Sequence, residues 1–294
     1  MSTLFLIPTP LGDAPVEQWM LPGQAERLRP LTHFVVEAAK TARKHLKQLA
    51  LATPLQQLRL TELNEHTPER ELAALLAPLD AGHDMGLMSE AGCPAVADPG
   101  AGLVRLAHAR GHVVEPLIGP SSLLLALMAS GANGQRFAFH GYLPVGEGER
   151  VAALRKLEQE SRERDCAQLF IETPYRNQQM LSVLRHTLKP HTLLTAACDL
   201  TLPTQTIISR TVRDWPTPGP DLHKRPAILW CMRGSKPSEG CQSLSCRRGP
   251  CRPAFASKCA SRVPGRMVQP PLHNHTYTGK FCWLASWVSA ASLA

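Results

Sequence analysis

Short apolar runs separated by polar segments with helical spacing recur along the first 234 residues of the chain. Such runs, bounded by turn residues, predict β-strands at 4–7, 34–36, 85–88, 113–117, 168–171, 193–197, 205–209 and 227–232. Helices are expected between them. The clearest spans 69–79, where Leu72, Leu75, Leu76 and Leu79 form one apolar stripe. Thr67 fits its N-cap and Pro68 its first helical position. Strand–helix alternation of this kind implies an α/β fold with an at least partly parallel sheet.

The character of the pattern changes at Glu115-Pro-Leu-Ile-Gly-Pro120. A hinge there divides the chain into two half-size α/β domains, 1–116 and 120–234, with a ligand cleft expected between them. After Gly234 both periodicities stop. Residues 235–294 mix Cys, Pro, Ser and Arg, with too few apolar positions to offset the ordering entropy of a separate core. This irregular C-terminal tail is expected not to form a functional domain, as for an out-of-frame or read-through extension.

Composition adds three constraints. A hydrophobic content of 44% and a charged content of 19% belong to a globular chain rather than a disordered one. No stretch is apolar for membrane-span length, and the first apolar run lacks the basic flank of a secretory signal, so a cytoplasmic protein is expected. The net charge of +8 is unevenly placed: from Ser235 onward eight Lys/Arg face a single acid, which leaves 1–234 nearly neutral. Any case for nucleic-acid binding must therefore rest on local patches. Cys241, Cys246, Cys251, Cys259 and Cys282 crowd the tail without the close pairing of a zinc site, and no metal is expected.

Four segments carry candidate chemistry. Pro8-Thr-Pro-Leu-Gly-Asp13 follows the first strand, and a Pro/Gly loop there exposes backbone amides and carbonyls at the sheet edge. Ser89-Glu-Ala-Gly-Cys-Pro-Ala-Val-Ala-Asp-Pro-Gly100 is a long loop after a later strand. In it Gly92 permits close approach of backbone to ligand, and Asp98 or Glu90 suits the ammonium of an amino-acid moiety or caps the next helix. Gly119-Pro-Ser-Ser122 places amides at a helix start, fit for an anion or for simple capping. Lys40, Arg43, Lys44 and Lys47 share one helical face at i, i+3, i+4 and i+7, either a solvated surface or a match for a phosphate backbone. No dinucleotide glycine fingerprint, phosphate loop, HExxH or GxSxG motif is present in the sequence.

Taken in order, these segments, with Phe139-His-Gly-Tyr-Leu-Pro144, Glu172-Thr-Pro-Tyr-Arg176 and Lys224-Arg-Pro-Ala-Ile228, resemble a known family. They are similar to the tetrapyrrole methylase-like (class III) S-adenosylmethionine methyltransferases, in the branch that methylates a cytidine 2′-hydroxyl of 16S ribosomal RNA. The likeness covers about residues 3–232. It implies that S-adenosylmethionine lies between the two domains, held by Pro10, Leu11 and Gly12, by Ser89, Gly92, Pro94 and Asp98, by Ser121 and Ser122, and by the backbone near Pro226 and Ala227. Ribosomal RNA or the small ribosomal subunit is the implied partner, met by Lys40, Arg43, Lys44 and Lys47, and a homodimer is the implied assembly. Glu37, Glu65 and His66 are candidates for the base that takes the hydroxyl proton. The family's Glu-Asp-Thr-Arg run stands here as Glu37-Ala-Ala-Lys40, and its His-Asn-Glu element as Asn64-Glu-His66. A small-molecule methyltransferase, with tetrapyrrole as one substrate, needs no basic stripe; a non-catalytic binding protein on the same fold transfers no methyl group.

Overall fold

The computed structural model describes residues 1–234. The reading of 235–294 as an irregular tail lies outside the described residues.

The first half is built on β1 (Thr3–Ile7), β2 (His33–Val36), β3 (Arg59–Glu62), β4 (Met85–Met88) and β5 (Val113–Pro116). They form one five-stranded sheet in the order β3-β2-β4-β1-β5, parallel throughout. Helices α1 (Pro22–Leu28), α2 (Ala39–Leu46), α3 (Leu72–Leu75), α4 (Ala77–Asp80) and α5 (Ala101–Ala109) supply the crossovers. Side chains alternate across the sheet with period two, so each strand feeds two cores. Phe5, Ile7, Phe34, Val36 and Met88 pack on one face, and Leu4, Val35, Met85 and Leu87 on the other. Burying each contributes about 1.5–3 kcal/mol.

The second half comprises α6 (Ser122–Ser130), β6 (Phe137–Tyr142), α7 (Glu147–Arg164), β7 (Ala167–Ile171), α8 (Asn177–Thr187), β8 (Leu193–Cys198), β9 (Thr206–Thr211) and β10 (Ala227–Met232). Its strands run β6-β7-β10-β8-β9; β6 and β7 are parallel and the remaining pairings antiparallel. Two α/β halves therefore meet, as the alternation of the sequence implies. No helix among the described residues is long and apolar enough to cross a membrane.

Two strands, β3 and β6, carry no sequence expectation. Both lie at sheet edges, where one side is solvated and the apolar signal thins: in β3 only Leu60 is half-buried and its neighbours are exposed. The expected helix 69–79 is also corrected. Pro68 takes the cap position of a 3-10 turn at Glu69–Glu71, α3 follows, and the helix restarts at α4 with Pro78 in its first turn. A proline there removes one amide and crowds the carbonyl four residues back, which breaks a continuous helix. Thr67 is not the N-cap; its hydroxyl accepts from the Asn64 amide at 3.1 Å. The apolar stripe survives, with Leu72, Leu76 and Leu79 buried.

Candidate active site

In a parallel sheet every strand ends at the same edge, so the loops after β1, β2, β4 and β5 gather there. Two of them are stitched together: the Thr9 amide donates to the Gly92 carbonyl at 2.8 Å, and the Gly92 amide to the Thr9 carbonyl at 3.1 Å. From the second half, β7 and β8 end at this edge and the antiparallel β10 begins at it. The Ser121 hydroxyl accepts from the Leu124 amide at 3.5 Å, which fixes the start of α6 where the halves join.

Two adjoining cavities of about 280 and 120 Å³ occupy the joint. Ala91, Ser122, Ile171 and Ile228 line both. The larger is walled by Leu11, Ala197, Leu200 and Ala227 and reaches Glu172. The smaller is walled by Gly92, Cys93, Asp98 and Ser121. The loop between is strained: Ala95 and Ala97 hold φ of 65° and 67°, where side chains are disfavoured. The ring of Pro8 lies so close to Gly119 that an added Cβ would meet it at 2.3 Å, so the hinge and the first loop touch backbone to ring.

Burial, the negative charge of Glu37 and that of Glu90 push the Asp98 carboxyl up to about 6, opposed by a hydrogen bond from Ser89. Glu37 is itself half-buried, and its Oε2 accepts from the Glu90 amide at 2.9 Å. Glu172 is buried; its Oε1 accepts from the Thr173 amide at 2.7 Å and from Arg176 at 2.6 Å. Its Oε2 is buried without a hydrogen-bond partner. The Glu172 side chain is fully buried, so its carboxylate braces the wall from behind rather than facing the cavity.

The structure brings most of the expected residues together. Leu11, Gly92, Asp98, Ser121, Ser122, Pro226 and Ala227 line the two cavities. Pro10, Ser89 and Pro94 are buried just behind that surface. Gly12 packs against Leu202, whose Cδ1 an added Cβ would meet at 2.6 Å. The Pro226 carbonyl is taken by the Asp199 amide at 3.0 Å, and Arg225 Nε donates to Asp199 at 2.8 Å, which locks this corner. Glu37, Glu65 and His66 line neither cavity; Glu37 is half-buried beside the 89–98 loop, while Glu65 and His66 are exposed on the turn after the edge strand β3. Lys40, Arg43, Lys44 and Lys47 are all exposed along α2 and its extension, while Ala42, His45 and Leu46 are buried beneath them. The sequence shows no acid compensating this stripe nearby; in the fold Asp13 approaches Lys44 at 3.1 Å. Ala91, Tyr142, Glu172, Ala197 and Leu200 were not among the expected cofactor residues. Ala91, Tyr142 and Glu172 carry a signal, since they sit in the Ser89–Gly100, Phe139–Pro144 and Glu172–Arg176 segments; Ala197 and Leu200 are ordinary apolar residues made special only by position.

The fold is that of the class III, tetrapyrrole methylase-like methyltransferases. The crystal structure of the methyltransferase CobJ superposes with a TM-score of 0.53 at 19% identity, over 79% of this chain and 95% of that one, a likeness of fold. A Synechocystis ribosomal RNA small subunit methyltransferase I is 32% identical over 201 residues, covering 68% of each chain. The chain belongs to the ribosomal RNA small subunit methyltransferase I family. The Pseudomonas aeruginosa relative of that name is 31% identical over 184 residues, 63% of this chain, and the match spans 61% of the relative's length. No protein-family model matches the chain.

Proposed function

We propose that the protein is an S-adenosylmethionine-dependent methyltransferase acting on a ribose 2′-hydroxyl of small-subunit ribosomal RNA. The observation that carries this reading is the joint cavity, whose walls come from both halves and whose lining holds seven of the residues expected to touch the cofactor.

The cavity fits that cofactor in its chemistry. Leu11, Ile171, Leu200 and Ile228 offer an apolar bed for a flat heterocycle. Asp98, at the narrower end with the amides that open α6, faces an amino-acid end that carries both charges. When bound, S-adenosylmethionine supplies a methyl group already activated on a sulfonium, so the protein's task is alignment. The stitched loops of Thr9 and Gly92 hold the donor side, and the exposed α2 stripe approaches the acceptor's phosphates. Among the three base candidates Glu37 is favoured, because its carboxylate is anchored on the 89–98 loop while Glu65 and His66 are exposed away from the cavity.

Two measurements test this reading: calorimetric binding of S-adenosylmethionine, and transfer of its labelled methyl group to small ribosomal subunits. Both are expected for the wild type. Glu37→Gln is expected to keep cofactor affinity and lose about 10²–10⁴-fold in kcat, the range for removal of a general base. A folded chain that binds no S-adenosylmethionine ends the proposal.

A further inference from the structure

We propose that a concave basic surface on the second half, remote from the cleft, binds the phosphate backbone of RNA. This deepens the RNA-methylation reading and rests on it for the identity of the polyanion.

A groove of about 1130 Å³ is lined by Arg155, Arg162, Arg185, Lys189, Arg213 and Arg233. The cations come from α7, the end of α8, the turn that follows it, the segment after β9 and the end of β10. On α7, Arg155, Gln159 and Arg162 stand at i, i+4 and i+7 and so share one face. Two acids line the groove, and both are engaged. Glu158 is buried; its Oε1 accepts from the Lys189 amide at 2.7 Å and from the Thr192 hydroxyl, and its Oε2 lies 3.8 Å from Arg233. Glu163 accepts from Gln159 at 2.8 Å. Arg155, Arg162 and Lys189 form no ion pair among the described residues.

Cations also gather at helix C-termini to complement the macrodipole, which accounts for Arg162 and Arg185. It does not account for Arg155 in mid-helix; Arg213 and Arg233, beyond strand ends, lie 3.3 Å from Asp214 and 3.8 Å from Glu158. Five of the six cations are guanidinium groups, whose planar fork matches phosphate oxygens in pairs. Phe, Tyr and Trp are absent from the lining, so the groove offers no platform for stacked bases and suits a backbone rather than a sequence. It also lies at the far end of the second sheet: β10 starts in the cleft at Ala227 and ends at Met232, beside Arg233. Six residues of strand span roughly 20 Å, so the groove anchors a different stretch of RNA from the one presented to the cleft.

The test uses the full chain and the variant Arg155→Gln, Arg162→Gln, Lys189→Gln, exposed positions where glutamine preserves the fold. Binding of a fluorescent duplex RNA hairpin is followed across salt concentration, beside S-adenosylmethionine calorimetry and methyl transfer to small ribosomal subunits. The slope of log affinity against log salt is expected to shrink by about 2, with RNA affinity at least about tenfold weaker and cofactor affinity unchanged. Unchanged RNA affinity and slope overturn the groove, even if methyl transfer proceeds and the function stands. Loss of binding to an acidic peptide in place of RNA overturns it in favour of a protein partner. Groove-dependent RNA binding without methyl transfer upholds the groove and ends the functional reading instead.

Discussion

At the scale of single residues, Asp98 is a carboxylate whose surroundings raise its proton affinity. Its ordinary value is 3.8, and in the fold burial and the charge of Glu37 hold it at about 6. Between those values the folded state binds more protons than the unfolded chain, so this group's contribution to stability falls as pH rises through that window. Asp98→Asn removes the penalty. The variant is expected to be more stable than wild type at pH 7.5, with the advantage shrinking toward pH 4, as read by urea denaturation across pH. It is also expected to bind S-adenosylmethionine more weakly, because an amide cannot pair with an ammonium. A wild-type and variant pair with parallel pH profiles would show that Asp98 is not held up by its neighbours. The residue was legible in the sequence as a loop acid; its altered proton affinity was not, since Glu37 lies far off in the chain and arrives through strand order.

At the scale of elements, α2 has a divided surface. Ala42, His45 and Leu46 are buried, while Lys40, Arg43 and Lys44 are exposed and Lys47 continues their row. The helix is tied to the 89–100 loop at its start, where the Thr41 hydroxyl donates to Glu90 at 2.9 Å. Like charges at these spacings weaken a helix slightly, and the single approach of Asp13 to Lys44 is an exposed pair worth about 0–1 kcal/mol. Neutralising all four cations to glutamine is therefore expected to leave thermal stability nearly unchanged. The same change is expected to cut the salt slope of RNA binding by about 3 and to raise KM for ribosomal subunits without altering cofactor affinity. RNA methylation that survives it intact would reduce the stripe to a solvated face. Periodicity revealed this element because one face is buried and the other charged. It failed for 69–79, where apolar spacing alone did not weigh Pro78 against helix continuity, and for the edge strands β3 and β6, whose half-solvated sides blur the pattern.

At the scale of the whole molecule, the cleft exists only because two sheets present their strand ends to each other. The first half contributes Leu11, Ala91 and Asp98, and the second contributes Ile171, Glu172, Ala197 and Ile228. A ligand seated there contacts both halves and is bound by the folded state alone. Saturation at about a hundred times its dissociation constant is expected to add about 2.7 kcal/mol of stability. For a folded region of this size that corresponds to a rise of roughly 5–10 °C in Tm, measurable by scanning calorimetry with and without S-adenosylmethionine. A ligand that binds but leaves Tm unmoved would have equal affinity for the unfolded chain, contrary to a site assembled from both halves.

The sequence by itself determined the α/β class and marked out the loops 8–13, 89–100 and 119–122 that the fold gathers at one joint, because those features are written locally. Turn residues at strand ends, apolar runs of strand length and a serine before a helix each need only their neighbours in the chain. Only the tertiary structure decided that the Glu172 carboxylate is buried with one oxygen unmatched and that Glu37, rather than Glu65 or His66, stands by the 89–98 loop. It likewise brought Arg155 and Arg233 to one groove 78 residues apart in sequence. These are matters of strand order and of which surfaces face inward, set by the burial of both sheets and invisible to any window of neighbouring residues.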